Sequence, residues 1–388
     1  MMSHCDILAI GWAENNSGFS RVFNSIFKRI CDDFRIVHFG INYRGEKLVR
    51  SWIVEPNTVR GDIFGEEQLE RLILKYRPKV VFICHDYWLY QTHREILKKY
   101  GIPTIHYCPV DFMLEDDHRV KTFAGIDKVV FYNQSGLDTF WKELAYNAVD
   151  ESGFNIEIIP HGVDTGVFYP LPATRAEIRE KLFPDRPELR DAFIILNANK
   201  NMDRKRIDLT MAAFARFLET NPANAWLYLH MSAIDLGSDL RRQIKALGID
   251  GHVLFTGNFE EKPAVSDATL NLIYNACDVG VNTCQGEGWG LVAFEHAATG
   301  KCQIVPDHTA CRELWHGIAI TVPVDETYVV DVESLAGIFS DLFTDSDLLS
   351  EKSNACFQCS RDNALSWDVI ADQWRNLFSG YCKPGKQA

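Results

Sequence analysis

The stretch Gly286-Glu-Gly-Trp-Gly-Leu-Val-Ala-Phe-Glu-His-Ala-Ala-Thr-Gly300 decides the fold. An apolar run, Cys277-Asp-Val-Gly-Val-Asn282, precedes it and reads as a buried strand. Glu287 stands at the end of that strand. Gly288 and Gly290 permit a sharp turn and a close approach of backbone to ligand. From Leu291 the spacing becomes helical, with Leu291, Val292, Phe294 and Ala298 on one expected apolar face. Glu295 falls on the first turns of the helix, eight residues after Glu287. Strand, glycine turn and helix start together form an anion site, because the first helical N–H groups have no partner within the helix. A carboxylate on each side suits phosphates that carry hydroxyls at both ends, one acid for a sugar and one for a ribose. That is the shape of a nucleotide-diphosphate sugar. A plain strand-to-helix turn, with a glutamate favoured by the helix dipole, accounts for the segment equally well by itself. The rest of the chain has to decide.

The chain has 388 residues, enough for two or three domains, and 46% of them are hydrophobic against 24% charged, a globular balance. Forty basic against 53 acidic residues leave a net charge of −13, which argues against non-specific nucleic-acid binding. Eleven cysteines, an odd number without framework spacing, favour free thiols in a reducing compartment. Cys356-Phe-Gln-Cys359 is a lone pair with no second pair and no histidine beside it, and reads as a chance pair on a helix, with a zinc or redox role as the lesser alternative. No apolar run approaches the roughly 18 residues that span a bilayer. The start, MMSHCDILAIGW, lacks a cationic leader. These features predict a cytoplasmic protein. Peripheral membrane contact stays open, although no strongly basic amphipathic helix advertises it.

Taken in order, Asp6–Gly11 reads as a buried strand, followed by a loop with Asn15, Asn16, Ser17 and Gly18 and a helix from Phe19 to about Asp33. Strands follow at Arg35–Ile41, Lys79–His85, Ile102–Tyr107, Lys128–Tyr132 and Ile156–Ile159, with helices at Glu66–Tyr76, Gln91–Tyr100 and about Gly136–Leu144. Apolar strands alternating with helices imply a parallel sheet covered on both faces. Ile159-Pro-His-Gly-Val-Asp-Thr-Gly-Val-Phe-Tyr-Pro170 breaks the alternation and reads as an interdomain connection. The pattern restarts with a helix at Arg175–Leu182. Strands at Phe193–Ala198, Ala225–His230, Val253–Thr256 and Cys302–Pro306 follow, with helices at Leu209–Glu219, Ser238–Leu247 and Ala268–Ala276. Two doubly wound domains in series bring the carboxyl ends of two sheets to a cleft. At the far end, Trp367, Ile370, Trp374 and Phe378 form one stripe of a helix, a core-packing pattern.

These residues resemble the retaining GT-B-fold glycosyltransferases of family 4 (glycosyl transferases group 1). Glu287 through Glu295 matches the family's Glu-x7-Glu motif, with Gly288-Trp-Gly-Leu291 inside it. Ile159-Pro-His-Gly-Val-Asp164 with Phe168 and Pro170 matches its interdomain signature. Asn199-Lys-Asn-Met-Asp-Arg-Lys-Arg206 resembles its basic loop, and Phe255-Thr-Gly257 and Trp367-Asp368 also fit. The resemblance implies two Rossmann-like domains facing across a cleft, residues 1–170 on the acceptor side and 171–364 on the donor side. A C-terminal helix, about 365–388, would cross back to the first. It implies that Glu287 binds the donor sugar and Glu295 the ribose. Gly288, Trp289, Gly290 and Leu291 would offer backbone N–H groups to the diphosphate. Lys205, with Lys200 or Arg204, would neutralise the phosphates. The family often has arginine near position 200, so Lys200 is a departure. His106 matches a family histidine near the reacting centre, and Gly18 a glycine loop facing the phosphates. His161 and His308 are given supporting roles only.

The expected reaction is a retaining transfer of a sugar from a UDP- or GDP-type donor to a hydroxyl on a glycan, lipid-linked glycan or small molecule. No cofactor and no metal site is expected, since no Asp-x-Asp is placed to hold one. An epimerase or hydrolase on the same fold, or a non-catalytic nucleotide-sugar binder, is the alternative. A dinucleotide-binding oxidoreductase fits less well, because the glycine spacing is wrong.

Overall fold

Val80-Val-Phe-Ile-Cys84 and Ile7-Leu-Ala-Ile-Gly11 are continuous apolar runs with every residue buried, as strands covered on both faces require. A computed structural model describes residues 4–14, 17–46, 48–111, 121–221, 224–257 and 264–382; Asn15, Asn16 and residues 383–388 of the expected last helix lie outside that set. The chain divides into two compact units, Met1–Gly162 with Asn363–Ala388, and Val163–Asp362.

In the first unit the order is β1 (Ile7–Gly11), α1 (Gly18–Ile30), β2 (Ile36–Gly40), β3 (Ile53–Pro56), α2 (Glu66–Tyr76) and β4 (Val80–Cys84). Then come α3 (Trp88–Tyr100), β5 (Thr104–Cys108), β6 (Lys128–Phe131), α4 (Gln134–Tyr146) and β7 (Ile156–Ile158). Seven parallel strands lie in the order β3-β2-β1-β4-β5-β6-β7, so the winding reverses between β1 and β4. β3 is not evident in the sequence. It is an edge strand with an exposed start and a proline at its end, where no ladder donor is needed.

In the second unit α5 (Arg175–Leu182), β8 (Phe193–Asn197), α6 (Ile207–Thr220), β9 (Ala225–Leu229), α7 (Leu240–Leu247) and β10 (Val253–Phe255) come first. They are followed by α8 (Asp267–Ala276), β11 (Val279–Val281), α9 (Leu291–Ala297), β12 (Cys302–Pro306), α10 (Thr309–Trp315) and β13 (Ile320–Val322). α11 (Val332–Thr344) and α12 (Ser346–Ser360) complete it. Six parallel strands run β10-β9-β8-β11-β12-β13, with the reversal between β8 and β11. At the amino ends of those two strands Arg179 is buried. It donates to the carbonyls of Ala276 (2.8 Å) and Ala192 (2.6 Å) and to Asp278 Oδ2 (2.7 Å). Asp278 in turn accepts from the Ile194 N–H at 2.8 Å, so one buried pair fixes where both strands begin.

The last helix, α13 (Trp367–Cys382), belongs to the first unit. Trp367, Ile370, Trp374 and Phe378 are all buried, as their spacing predicts. Trp374 packs 4.9 Å from the Phe82 ring and 4.8 Å from Tyr107. Each large apolar side chain so buried contributes about 1.5–3 kcal/mol. Gly162 is held tightly here: a Cβ on it would come within 2.8 Å of the Trp367 ring and 2.9 Å of the Leu365 carbonyl oxygen.

Candidate active site

The loops that leave β8, β11 and β12 meet at the carboxyl edge of the second sheet, where its winding reverses. In such sheets ligands bind at that point. After β8 the chain makes a short turn, Asp203–Lys205, and enters α6 through Arg206, whose φ of +47° lies in the left-handed region. Thr283, just after β11, holds this turn: its hydroxyl lies 2.8 Å from the Arg206 carbonyl oxygen and 3.2 Å from that of Lys205. It also lies 2.8 Å from the Thr210 hydroxyl, which accepts from Asn197 Nδ2 at 3.0 Å. The result is a buried polar chain from β8 through α6 to the glycine turn.

That bracing brings together two residues 82 positions apart: Lys205 Nζ lies 2.5 Å from Glu287 Oε2, and both side chains are nine-tenths buried. Asn282 Nδ2 donates to the same oxygen at 3.3 Å. Arg204 and the glycine turn clasp each other. Its guanidinium donates to the Gly286 carbonyl at 2.7 Å, and its carbonyl accepts from the Gln285 N–H at 2.8 Å. Burial would push the Glu287 carboxyl up. The charges of Lys205 and Arg204, with the hydrogen bonds from Lys205 and Asn282, overcome this and hold it at about 2. Glu287 is therefore a fixed, buried acceptor with fixed cations beside it.

A third loop closes on the pair. His308 Nε2 donates to the Cys284 carbonyl at 2.8 Å, and Thr309 Oγ1 lies 3.4 Å from the Glu287 carbonyl oxygen. Burial pushes the His308 imidazole below its ordinary range. Thr309 has a φ of +43°, a costly conformation for a β-branched residue. Two strained residues, Arg206 and Thr309, thus flank one carboxylate, a pattern that clusters at functional sites.

Gly290, at φ +88°, makes the turn into α9, whereas Gly288 is outside the left-handed region, so one of the two expected turn glycines carries the bend. Trp289 is buried and stacks 5.3 Å from Phe294. The expected one-sided apolar face of α9 is not seen. Leu291 and Val292 are only half-buried, while Ala293, Phe294, Glu295, His296 and Ala297 are all buried. The cause is enclosure: the helix is packed against β11 and β12 and also against α8 and α12. Glu295 accepts from the Tyr274 hydroxyl of α8 at 3.1 Å. Leu196, Asn199, Asn282, Gly290 and Val292 line a small cavity at this edge.

Lys200 points elsewhere, half-exposed, with its ammonium 3.9 Å from Asp235. Gly18 and His106 belong to the first unit. Gly18 is exposed at the start of α1, behind an N-cap in which Ser17 and Ser20 bond reciprocally. His106 is wholly buried in β5; its Nε2 donates to the His85 carbonyl at 3.0 Å, its Nδ1 has no partner, and burial pushes it down to about 4. Asn282 and Thr283 after β11, Thr309 at the start of α10 and Tyr274 within α8 escape sequence reasoning, because single hydroxyls and amides carry no pattern. All eleven cysteines are free thiols. Among the described residues, no group of three or more His, Cys, Asp or Glu side chains stands as a metal cluster. No helix among them is long and apolar enough to cross a membrane.

Two parallel-sheet α/β units in series, with a last helix returning to the first, define a GT-B fold. The glycosyl transferases group 1 family matches residues 193–345, within the second unit. Over 200 residues the chain is 28% identical to mannosylfructose-phosphate synthase of Agrobacterium fabrum, covering 49% of this chain and 40% of that one. Over 232 residues it is 27% identical to a GDP-mannose-dependent phosphatidylinositol monomannoside mannosyltransferase of Mycolicibacterium smegmatis, covering 58% and 56%. The chain thus spans about half the length of these curated relatives. Among solved structures, Anabaena HepE in complex with UDP-glucose superposes with a TM-score of 0.76 at 16% identity, over 97% of this chain and all of that one. Sucrose-phosphate synthase from Thermosynechococcus elongatus superposes with a TM-score of 0.73 at 16% identity, over the same shares.

Proposed function

We propose that this protein is a retaining glycosyltransferase that moves a sugar from a UDP- or GDP-type donor to a hydroxyl acceptor, without a metal or cofactor. The observation that carries this reading is the buried Lys205–Glu287 pair, 2.5 Å apart, beside the Gly290 turn. The relatives' names support it: one is a synthase of a mannosyl sugar phosphate, one uses GDP-mannose, and HepE was solved with UDP-glucose. In this reading the second unit holds the donor and the first the acceptor. Glu287 accepts from hydroxyls of the donor sugar and Glu295 from those of the ribose. Backbone N–H groups of Gly288 to Leu291 meet the diphosphate.

As the bond between the anomeric carbon and the phosphate oxygen breaks, negative charge grows on the diphosphate. Lys205 and Arg204 stabilise it more in the transition state than in the ground state. The acceptor oxygen bonds to the same face of the anomeric carbon, and its proton passes to the departing phosphate oxygen. No side chain becomes a covalent nucleophile. The free thiols suit a reducing compartment, and we assign the activity to the cytoplasm. The test is a thermal-shift screen with UDP, GDP, UDP-glucose and GDP-mannose, followed by NMR of the sugar released from the best stabiliser. Stabilisation by one nucleotide and release of the sugar with its anomeric configuration retained are expected. A protein that no nucleotide stabilises, or an inverted product, overturns the reading.

A further inference from the structure

In the first sheet the winding reverses between β1 and β4, and the residues that follow those strands are aromatic. His85, the first residue after β4, has a side chain only 5% exposed. Phe19, at the start of α1, stacks on its ring with centroids 4.8 Å apart and planes 14° apart. Trp88 stands edge-on at 5.0 Å, and Trp12, the first residue after β1, lies at 6.5 Å. Phe19, Trp12 and Trp88 are themselves only half-buried, so among the described residues the box is not closed over.

The imidazole is fixed in one tautomer. His85 Nδ1 accepts from the Asp86 N–H at 2.8 Å, which leaves the proton of the neutral ring on Nε2. Among the described residues nothing meets Nε2. The backbone of His85 is anchored from below, where the buried His106 Nε2 donates to its carbonyl at 3.0 Å. The nearby titratable groups are Asp86, whose Oδ2 lies 3.6 Å from Nδ1, and the buried His93 and His106. Desolvation comes first, with those two imidazoles adding to it, in keeping the His85 ring neutral.

A donor N–H among aromatic faces at the reversal point of a parallel sheet is a recognition element for a hydroxylated ring: the faces stack on C–H groups and the N–H meets one hydroxyl. We propose that His85 Nε2–H, walled by Trp12, Phe19 and Trp88, binds the acceptor, and that the acceptor presents a pyranose ring there. His106 acts on this site as a positioning residue through the His85 carbonyl. The assignment rests on the transferase reading above, since it gives the first unit the acceptor.

Saturation-transfer NMR on the full chain, with methyl α-D-glucopyranoside and methyl α-D-mannopyranoside as probes, tests it. Transfer concentrated on the C–H groups of one ring face is expected. His85→Phe keeps an aromatic ring in the box but removes the N–H, and should weaken binding roughly 5- to 10-fold. His85→Gln restores an N–H donor and should recover part of the loss, and a merely structural role would not rank the two variants this way. Absence of transfer to either probe, while UDP or GDP still raises the melting temperature, overturns the acceptor site and leaves the transferase reading standing. Displacement of a bound probe by UDP-glucose but not by UDP assigns the box to the donor's own sugar and also overturns it. If no nucleotide stabilises the chain, it is the transferase reading that fails.

Discussion

Replacing Lys205 with methionine keeps the length of the side chain and removes its charge. In the native site Glu287 is held at about 2 against an ordinary 4.5, although burial by itself would raise it. A difference of that size corresponds to about 3 kcal/mol of carboxylate stabilisation at neutral pH. Without Lys205 the carboxylate stays buried with Arg204 as its remaining cation, so the loss should be about 3–5 kcal/mol. The pH dependence should change sign. In the wild type the Glu287 carboxyl is depressed, so its contribution is present above about 4.5 and is lost as pH falls toward about 2. In Lys205→Met its pKa moves up, and the contribution is present at low pH and lost as pH rises through the new value. Denaturant titration followed by tryptophan fluorescence at pH 5 and pH 8 reads both effects as differences from wild type. The double variant Lys205→Met, Glu287→Gln should recover most of the stability, because no buried charge remains, yet show no transfer activity. A single variant that unfolds at the wild-type midpoint, or a double variant no more stable than the single, would refute the ion-pair argument.

Glu295→Ala removes a charged acceptor from the ribose, and donor affinity measured by calorimetry should fall roughly 10- to 100-fold; unchanged affinity in a folded variant would remove Glu295 from the donor site. Arg179→Met should cost about 3–5 kcal/mol in the second unit by leaving Asp278 with the outer Arg175 at 3.1 Å, and a wild-type melting temperature would contradict this. The first unit should be acid-labile. His38, His85 and His161 are pushed to about 3, and His93 and His106 to about 4, by burial. These depressed values mean that unfolding takes up protons below about pH 6.5, each histidine costing up to about 1.4 kcal/mol per pH unit. Near-ultraviolet circular dichroism should show loss of packing by roughly pH 5, and a first unit still ordered at pH 4 would contradict the reasoning.

Central strands such as Val80–Cys84 were legible because a strand buried on both faces must be apolar throughout. β3 was not, because an edge strand needs few apolar residues and tolerates Pro56. β13 and α11 are likewise not evident in the sequence, since these short or amphipathic outer elements lack the unbroken runs of the centre, whereas Cys356 and Cys359 do lie on a helix, α12. At the site, Glu287 and Glu295 stood out through their spacing, but the contact of Glu287 with Lys205 joins two loops far apart in sequence. Only the fold reveals it. The case of the histidines is similar. The sequence singles out His106, whereas the fold buries that ring and puts His85, unremarkable in the chain, at the sheet edge with its Nε2 unmet.

Because Gly162 lies against Trp367 and the carbonyl of Leu365, the outgoing and returning passages of the chain are fastened at one spot, and α13 completes the unit that began at the amino end. During synthesis, the usual order of maturation is therefore inverted. The contiguous segment 163–362 leaves the ribosome whole and is free to mature while the earlier one still waits for its final helix. A stalled or nicked nascent chain that ends before residue 367 would carry a finished second unit tethered to an unfinished first one with the faces of Phe82 and Tyr107 uncovered, a ready target for chaperones.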